Sequence, residues 1–297
     1  MNLTTNLTGL ELKNPTILAA GILGTTAASL KRVMQGGAGA VVTKSIGSAP
    51  RTGHPGPVVT EREYSILNAM GLPNPSYREF VSELALAKGD VPVIVSIFGA
   101  NASEFQEVAR GLNDAEPDGF ELNVSCPHAN GYGASIASNP DAIRETTEAV
   151  KDAVEVPVWV KLAPLTNIVE MGLAAQKGGA DAVVAINTVP AMAIDIESGF
   201  PLLGNKVGGI SGPAIKPIAL KCVYELYSAL NIDVIGVGGI TNWRDAIEFI
   251  MAGAKAVQIG SAVYNDIGVF KDISDGVARH LKENRRSLKS IRGVAHK

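Results

Sequence analysis

Eight short runs of apolar residues recur along this chain, most of them opening just after a Gly-Ala, Gly-Ala-Asp or Val-Pro step. They fall at residues 16–20, 40–44, 91–97, 120–124, 157–162, 182–186, 234–237 and 256–259. Their apolarity is continuous rather than alternating, which is what strands covered on both faces require, as in a parallel sheet under helices. Stretches with helical spacing fall at 29–35, 77–88, 103–113, 141–154, 167–177, 216–230, 243–251 and 270–284. In the 103–113 helix Ser103 is the expected N-cap, with Gln106 at the capping-box position. Eight strand–helix units in about 250 residues match a (β/α)8 TIM barrel, with an open doubly wound sheet as the alternative. Residues 3–12 alternate weakly around Thr8-Gly9 and predict a short N-terminal β-hairpin. No composition break divides the chain, so a single domain over residues 1–297 is expected. Residues 45–75 and 187–213 fit neither pattern and read as long loops, which in a compact protein are usually functional or disordered.

Composition excludes several roles. A hydrophobic fraction of 46% over 297 residues is enough to bury a sizeable core. A formal net charge of -3 gives no sign of nucleic-acid binding. Two cysteines make no disulfide framework and point to a reducing compartment. The N-terminus lacks a basic and then apolar leader, and no apolar run reaches the ~20 residues that span a bilayer. The expectation is a soluble cytoplasmic protein. The C-terminal tail from Lys282 holds six Lys/Arg and one acid; it reads as a solvated, partly frayed end, with docking to an acidic partner as the alternative.

In a barrel of this kind chemistry gathers where the strands end. Those positions hold Ala20-Gly21, Lys44-Ser45, Ser96, Asn123, Cys126, Lys161, Asn187-Thr188, Gly238-Gly239 and Gly260-Ser261. The small pairs after the last two strands suit a phosphate, because backbone N–H groups without a Cβ can close on an anion. No Gly-x-Gly-x-x-Gly opens an early helix, so a nicotinamide cofactor is not the first expectation. Lys44 and Lys161 each end an apolar strand, where a lysine is costly to bury unless it meets an anion or a developing negative charge; the plain alternative is snorkelling to solvent. Cys126 ends Phe120-Glu121-Leu122-Asn123-Val124-Ser125-Cys126 and is followed by Pro127-His128 and a glycine-rich loop. A thiol near lysines can act as base or nucleophile. Cys222, with Ala219, Val223 and Leu226 at core spacing, reads instead as packing. The four histidines are scattered, so no metal site is expected. Asn68, Asn123 and Asn187 offer amides suited to the imide edge of a pyrimidine, although each alone is more often a turn residue.

These stretches together resemble the class 1 dihydroorotate dehydrogenases, most nearly the catalytic subunit of the NAD-linked class 1B form. The carrying motifs are Lys44-Ser45, Asn68-Ala69-Met70-Gly71-Leu72, Glu121-Leu122-Asn123-Val124-Ser125-Cys126-Pro127, Val160-Lys161-Leu162, Ile186-Asn187-Thr188, Ser211-Gly212-Pro213-Ala214-Ile215-Lys216-Pro217, Gly236-Val237-Gly238-Gly239 and Gly260-Ser261. The resemblance implies an FMN-containing barrel that oxidises (S)-dihydroorotate to orotate in pyrimidine biosynthesis. It implies that Cys126 removes the C5 proton while a hydride passes from C6 to the flavin, and that Lys161 sits near flavin N1. Ala20, Gly21, Lys44, Ser45, Ser96, Asn123, Ile186, Gly212, Gly238, Gly239, Gly260 and Ser261 would complete the cofactor site. Lys44, Asn68, Ala69, Met70, Gly71, Leu72, Asn123, His128, Asn187 and Thr188 would hold the substrate. Residues 131–133 would let the loop after Cys126 close as a lid.

Three positions depart from the family pattern: Ala20 stands for its usual Ser, Ser96 for Asn and His128 for Asn. Cys-Pro-His also occurs in dihydropyrimidine dehydrogenases, whereas Asn-Ala-Met-Gly-Leu favours orotate over uracil. The class 1B likeness implies a homodimer joined to a partner subunit with FAD and a [2Fe–2S] cluster, forming a heterotetramer. Two cysteines cannot bind such a cluster, which needs four ligands. A fumarate-linked class 1A enzyme is the nearest alternative; a flavin-free phosphate-binding lyase or isomerase and a non-catalytic scaffold are the distant ones.

Overall fold

The structure, a computed structural model, describes residues 1–125 and 134–297. Strands β1 (Thr5–Leu7) and β2 (Leu10–Leu12) form the antiparallel hairpin expected around Thr8-Gly9. The remaining strands are β3 (Thr16–Leu18), β4 (Ala40–Val42), β5 (Val59–Arg62), β6 (Ser65–Asn68), β7 (Val93–Ile97), β8 (Gly119–Asn123), β9 (Val158–Leu162), β10 (Ala182–Ala185), β11 (Val189–Ala191), β12 (Gly208–Ser211), β13 (Asp233–Val237) and β14 (Ala256–Ile259). Eight of them, β3, β4, β7, β8, β9, β10, β13 and β14, pair in parallel in that order, and β14 returns to β3 to close the barrel. All eight expected strands are present. The outer ring is built mainly by α1 (Ala27–Gln35), α2 (Tyr77–Leu86), α3 (Ala102–Asn113), α4 (Ala134–Ala137), α5 (Pro140–Lys151), α6 (Ile168–Lys177), α7 (Lys216–Ala229), α8 (Trp243–Met251) and α9 (Val269–Glu283).

Alternate residues of each strand feed two cores. Val158, Val160 and Leu162 of β9 join the outer core with helix residues such as Val108, Ile143 and Met171. Trp159 points the other way, into an inner core with Ile17, Ala40, Ile94, Val184, Ile235 and Ala256. Leu7 and Leu12 of the hairpin belong to that inner core and are fully buried, each contributing about 1.5–3 kcal/mol. The Trp159 indole N–H donates to Thr8 Oγ1 at 3.0 Å, so the polar atom of this buried ring is satisfied by the hairpin turn. The hairpin therefore stoppers the barrel at the end opposite the strand C-termini.

Three expectations change. The two long segments are not irregular throughout: they supply β5, β6, β11 and β12, an antiparallel sheet in the order β11-β12-β6-β5. The N-cap of α3 is Asn101, whose side chain accepts from the Glu104 N–H at 3.1 Å. Gln106 donates instead to Ala149 O of α5 at 2.8 Å. The tail is not frayed. After α9 it forms α10 (Leu288–Ile291), with Ile291 fully buried. Arg292 donates to Gly253 O and to Asp233 Oδ1, both at 2.9 Å, and the His296 ring stacks on Tyr224 with centroids 3.8 Å apart. The segment reads as mobile by charge alone, but Ile291 is buried and Arg292 is spent on a carbonyl and a carboxylate of the barrel.

Candidate functional site

The period-two alternation that builds the inner core also builds the site. In β8, Phe120 and Leu122 face the helices, so Glu121 and Asn123 face the barrel axis. The same parity turns Ser96 of β7, Lys161 of β9 and Gln258 of β14 inward, each two residues beyond an apolar inner-core neighbour: Ile94, Trp159 and Ala256. A polar layer thus lies directly above an apolar one.

Three side chains of that layer form one buried unit. The Lys161 ammonium donates to Gln258 Oε1 at 3.0 Å, and Gln258 Nε2 donates to Glu121 Oε2 at 2.5 Å. Lys161 Nζ lies 3.3 Å from Glu121 Oε1, at ion-pair distance but without hydrogen-bond alignment, and Glu121 Oε1 has no other partner among the described residues. Glu121 and Gln258 are fully buried and Lys161 is 5% exposed. An isolated charge here would cost several kcal/mol, which the pairing offsets.

Amides and hydroxyls continue the layer around the rim. Asn123 Nδ2 donates to Ser45 Oγ at 3.1 Å, and Ser45 Oγ lies 2.9 Å from Ser96 Oγ. Ser125 Oγ donates to Asn123 Oδ1 at 3.0 Å, while Asn187 Nδ2 donates to Ser125 Oγ at 2.6 Å and to Asn123 Oδ1 at 3.3 Å. Asn68, opposite Gly209 in the β6–β12 register, donates to Gly209 O at 3.4 Å. Two of the three loop asparagines, Asn123 and Asn187, are thus in direct contact, and the third faces the same space.

That space is a cavity between the strand ends and the second sheet. Ala20, Gly21, Lys44, Ser45, Asn68, Ala69, Met70, Gly71, Leu72, Asn123, Lys161, Ile186, Asn187, Thr188, Gly212, Gly238, Gly239, Gly260 and Ser261 all line it. Ser96 stands one layer back, fully buried behind Ser45. Cys126, His128 and the expected lid at 131–133 lie outside the described residues. Sequence reading missed Glu121, Gln258 and Ser125 as site components, together with Ile66, Gly209 and Ser211, the wall contributed by the second sheet. Counting back by two from Asn123 is the signal that finds Glu121.

At one end of the cavity the backbone is bare. Gly238 and Gly239 adopt φ +134° and +73°. A Cβ on Gly239 would sit 2.8 Å from Lys216 N and 2.9 Å from Gly212 O, and one on Gly238 would sit 2.7 Å from Ala219 Cβ. Short 3-10 turns start after Gly212 and Gly260, Pro213–Ile215 and Ser261–Tyr264, and neither start is capped by a side chain. Such a cradle suits an anion. Beneath it Lys216 bridges Asp245 at 2.8 Å and Glu248 at 2.9 Å. The hydrogen bond to Asp245 is the main cause holding the Lys216 ammonium above its usual range. Burial pushes the Asp245 carboxyl up, but Lys216 and the Thr241 donors outweigh it and hold the carboxyl low. Cys222 is buried in the outer core, and that burial pushes its thiol up, in keeping with packing rather than chemistry. A polar wall carrying a lysine at one end and an anion cradle at the other fit an elongated, phosphate-bearing, partly planar ligand.

A profile of the dihydroorotate dehydrogenase family matches residues 2–281. The dihydroorotate dehydrogenase B (NAD(+)) catalytic subunit of Methanosarcina mazei is 64% identical, over 98% of this chain and 94% of its own length. Those of Methanocella arvoryzae and Pyrococcus abyssi are 61% and 52% identical, with at least 99% of both chains covered. Among solved structures, the Eimeria tenella dihydroorotate dehydrogenase in complex with ferulenol superposes with a TM-score of 0.87, over 100% of this chain and 89% of that one. At 22% identity that likeness concerns the barrel fold. Profile and relatives agree over nearly the whole length, and the chain belongs to the dihydroorotate dehydrogenase family.

Proposed function

We propose that this chain oxidises (S)-dihydroorotate to orotate in pyrimidine biosynthesis, as the FMN-bearing catalytic subunit of an NAD-linked enzyme. The observation that carries the proposal is the convergence, in one cavity, of two lysines, three asparagines and a glycine cradle from distant parts of the chain. FMN, when bound, supplies the two-electron acceptor for the C6 hydride. Gly212, Gly238, Gly239, Gly260 and Ser261 would hold its phosphate end, and Lys161 would face its ring. Asn68, Asn123, Asn187 and Thr188 would hold the pyrimidine by its amide edges, with Lys44 between substrate and cofactor. Cys126 would take the C5 proton, its electron pair forming the C5=C6 double bond. Ser125, which precedes Cys126, is tied to Asn123 and Asn187, so the amides that would grip the substrate also fix the chain immediately before the base.

The 50–64% identical relatives are named catalytic subunits of NAD(+) enzymes, which supports a partner subunit carrying FAD and a [2Fe–2S] cluster to relay electrons, on a homodimer of this chain. No helix among the described residues is long and apolar enough to cross a membrane, in keeping with work in the cytoplasm. The test is anaerobic mixing of the purified chain with dihydroorotate. The flavin absorbance should bleach, and in Cys126→Ser the flavin should remain bound while bleaching slows about 10²–10⁴-fold at neutral pH. A chain that carries no flavin, or a serine variant that bleaches at the wild-type rate, overturns the reading.

A further inference from the structure

Glu121 has no contact with the cavity and no place in the chemistry above, yet it is a fully buried carboxylate inside the barrel, 3.3 Å from the lysine that faces the proposed flavin. We infer that Glu121, linked through Gln258, is a positioning residue that sets the reduction potential of the flavin by holding Lys161 and opposing its charge; this rests on the FMN reading above.

The argument is electrostatic. An ammonium in a dry cavity wall stabilises negative charge arriving there, and the effect is strong where water does not screen it. Lys161 alone would therefore make added electrons hard to release. A carboxylate directly behind it turns a single positive charge into a dipole, whose influence falls off faster with distance. Gln258 fixes the dipole's direction, because it accepts from the ammonium and donates to the carboxylate at once. The three residues sit on β9, β8 and β14, rigid barrel strands rather than loops. A catalyst that must pass its electrons onward needs a flavin that is not over-stabilised once reduced, and the pair supplies that restraint.

The test compares the FMN-loaded full chain with Glu121→Gln and Glu121→Asp. The glutamine keeps shape and removes charge; the aspartate keeps charge and withdraws it by one methylene. In Glu121→Gln the two-electron equilibrium should shift about tenfold toward reduced flavin, roughly 30 mV upward, measured by equilibration with a reference dye. Sulfite, a probe of positive charge near the flavin ring, should bind about tenfold more tightly. Glu121→Asp should fall between the variant and the wild type, and it carries the test alone if Glu121→Gln does not accumulate as folded protein. A potential and sulfite affinity within twofold of wild type, with flavin retained, overturn the inference, as does a downward shift. A wild-type chain that takes up no FMN overturns the flavin reading itself, a result distinguishable from an unmoved potential in a yellow variant.

Discussion

The two layers of the barrel interior meet on β7, β9 and β14, two residues apart on each of those strands, and share almost nothing else. The lower layer is Ile17, Ala40, Ile94, Trp159, Ile235 and Ala256, sealed by Leu7 and Leu12 of the hairpin. The upper layer is Ser96, Glu121, Asn123, Lys161 and Gln258, all buried and nearly all joined by hydrogen bonds or ion pairing. Stability alone would favour extending the lower layer upward, since replacing a buried ion pair by well-packed apolar groups is often neutral or better. The contrast separates residues that hold the cylinder shut from residues that, on the proposed reading, serve the chemistry.

Substitutions in each layer sharpen that division. The largest effect is expected for Lys161→Met in the upper layer. It leaves Glu121 charged and buried without its cation, which costs about 3–5 kcal/mol by denaturant unfolding, and it slows flavin reduction by about 10²–10³-fold in stopped-flow traces. Leu12→Ala in the lower layer should cost about 2–5 kcal/mol while leaving the reduction rate of the surviving folded protein unchanged; a slowed rate would show that the layers are not separable. Gly239→Ala forces a side chain into a left-handed backbone and against Lys216. A stability loss of about 1–2 kcal/mol should accompany a weaker hold on FMN, read as flavin content after gel filtration. The smallest effect is expected outside both layers, for Asp245→Asn, at roughly 1 kcal/mol near neutral pH.

The pH dependence of that last difference has a definite sign. The Asp245 carboxyl is held below its ordinary value of 3.8, so its contribution is complete above that pH and fades as pH falls through the lowered value. The Lys216 ammonium is held above 10.5, so its contribution is complete below that pH and fades as pH rises beyond it. Wild type and Asp245→Asn should therefore differ by a constant amount from about pH 5 to 9, converge in strong acid, and draw closer again in strong base as Lys216 loses its charge. A difference that varies across neutral pH would show that another group controls this corner.

The barrel was legible because each of its strands is a continuous apolar run, a pattern that burial on both faces enforces. The second sheet was not, for reasons visible in its residues. β5 is largely exposed, β11 carries Pro190, and β12 opens on Gly208-Gly209, which the Asn68 carbonyl and Thr188 side chain approach too closely for any Cβ. Strand propensity and apolar periodicity are both silent there, and the sheet exists because its partners are supplied by a distant segment. The site was legible where a polar residue interrupts an apolar run at its end, as Lys44, Asn123 and Lys161 do. Glu121 and Gln258 lie inside their runs, where their apolar neighbours masked them. The basic tail misled for the opposite reason: Arg292 looks like a solvent-facing charge until Asp233 and the Gly253 carbonyl come beside it.

The hairpin stopper has a kinetic corollary. With the far end of the cylinder blocked by the hairpin, the cavity among the described residues lies at the rim where Asn68, Asn123 and Asn187 stand. On the proposed reading both ligands use that rim, so bound orotate should slow escape of the prosthetic group, making the product a latch on the flavin.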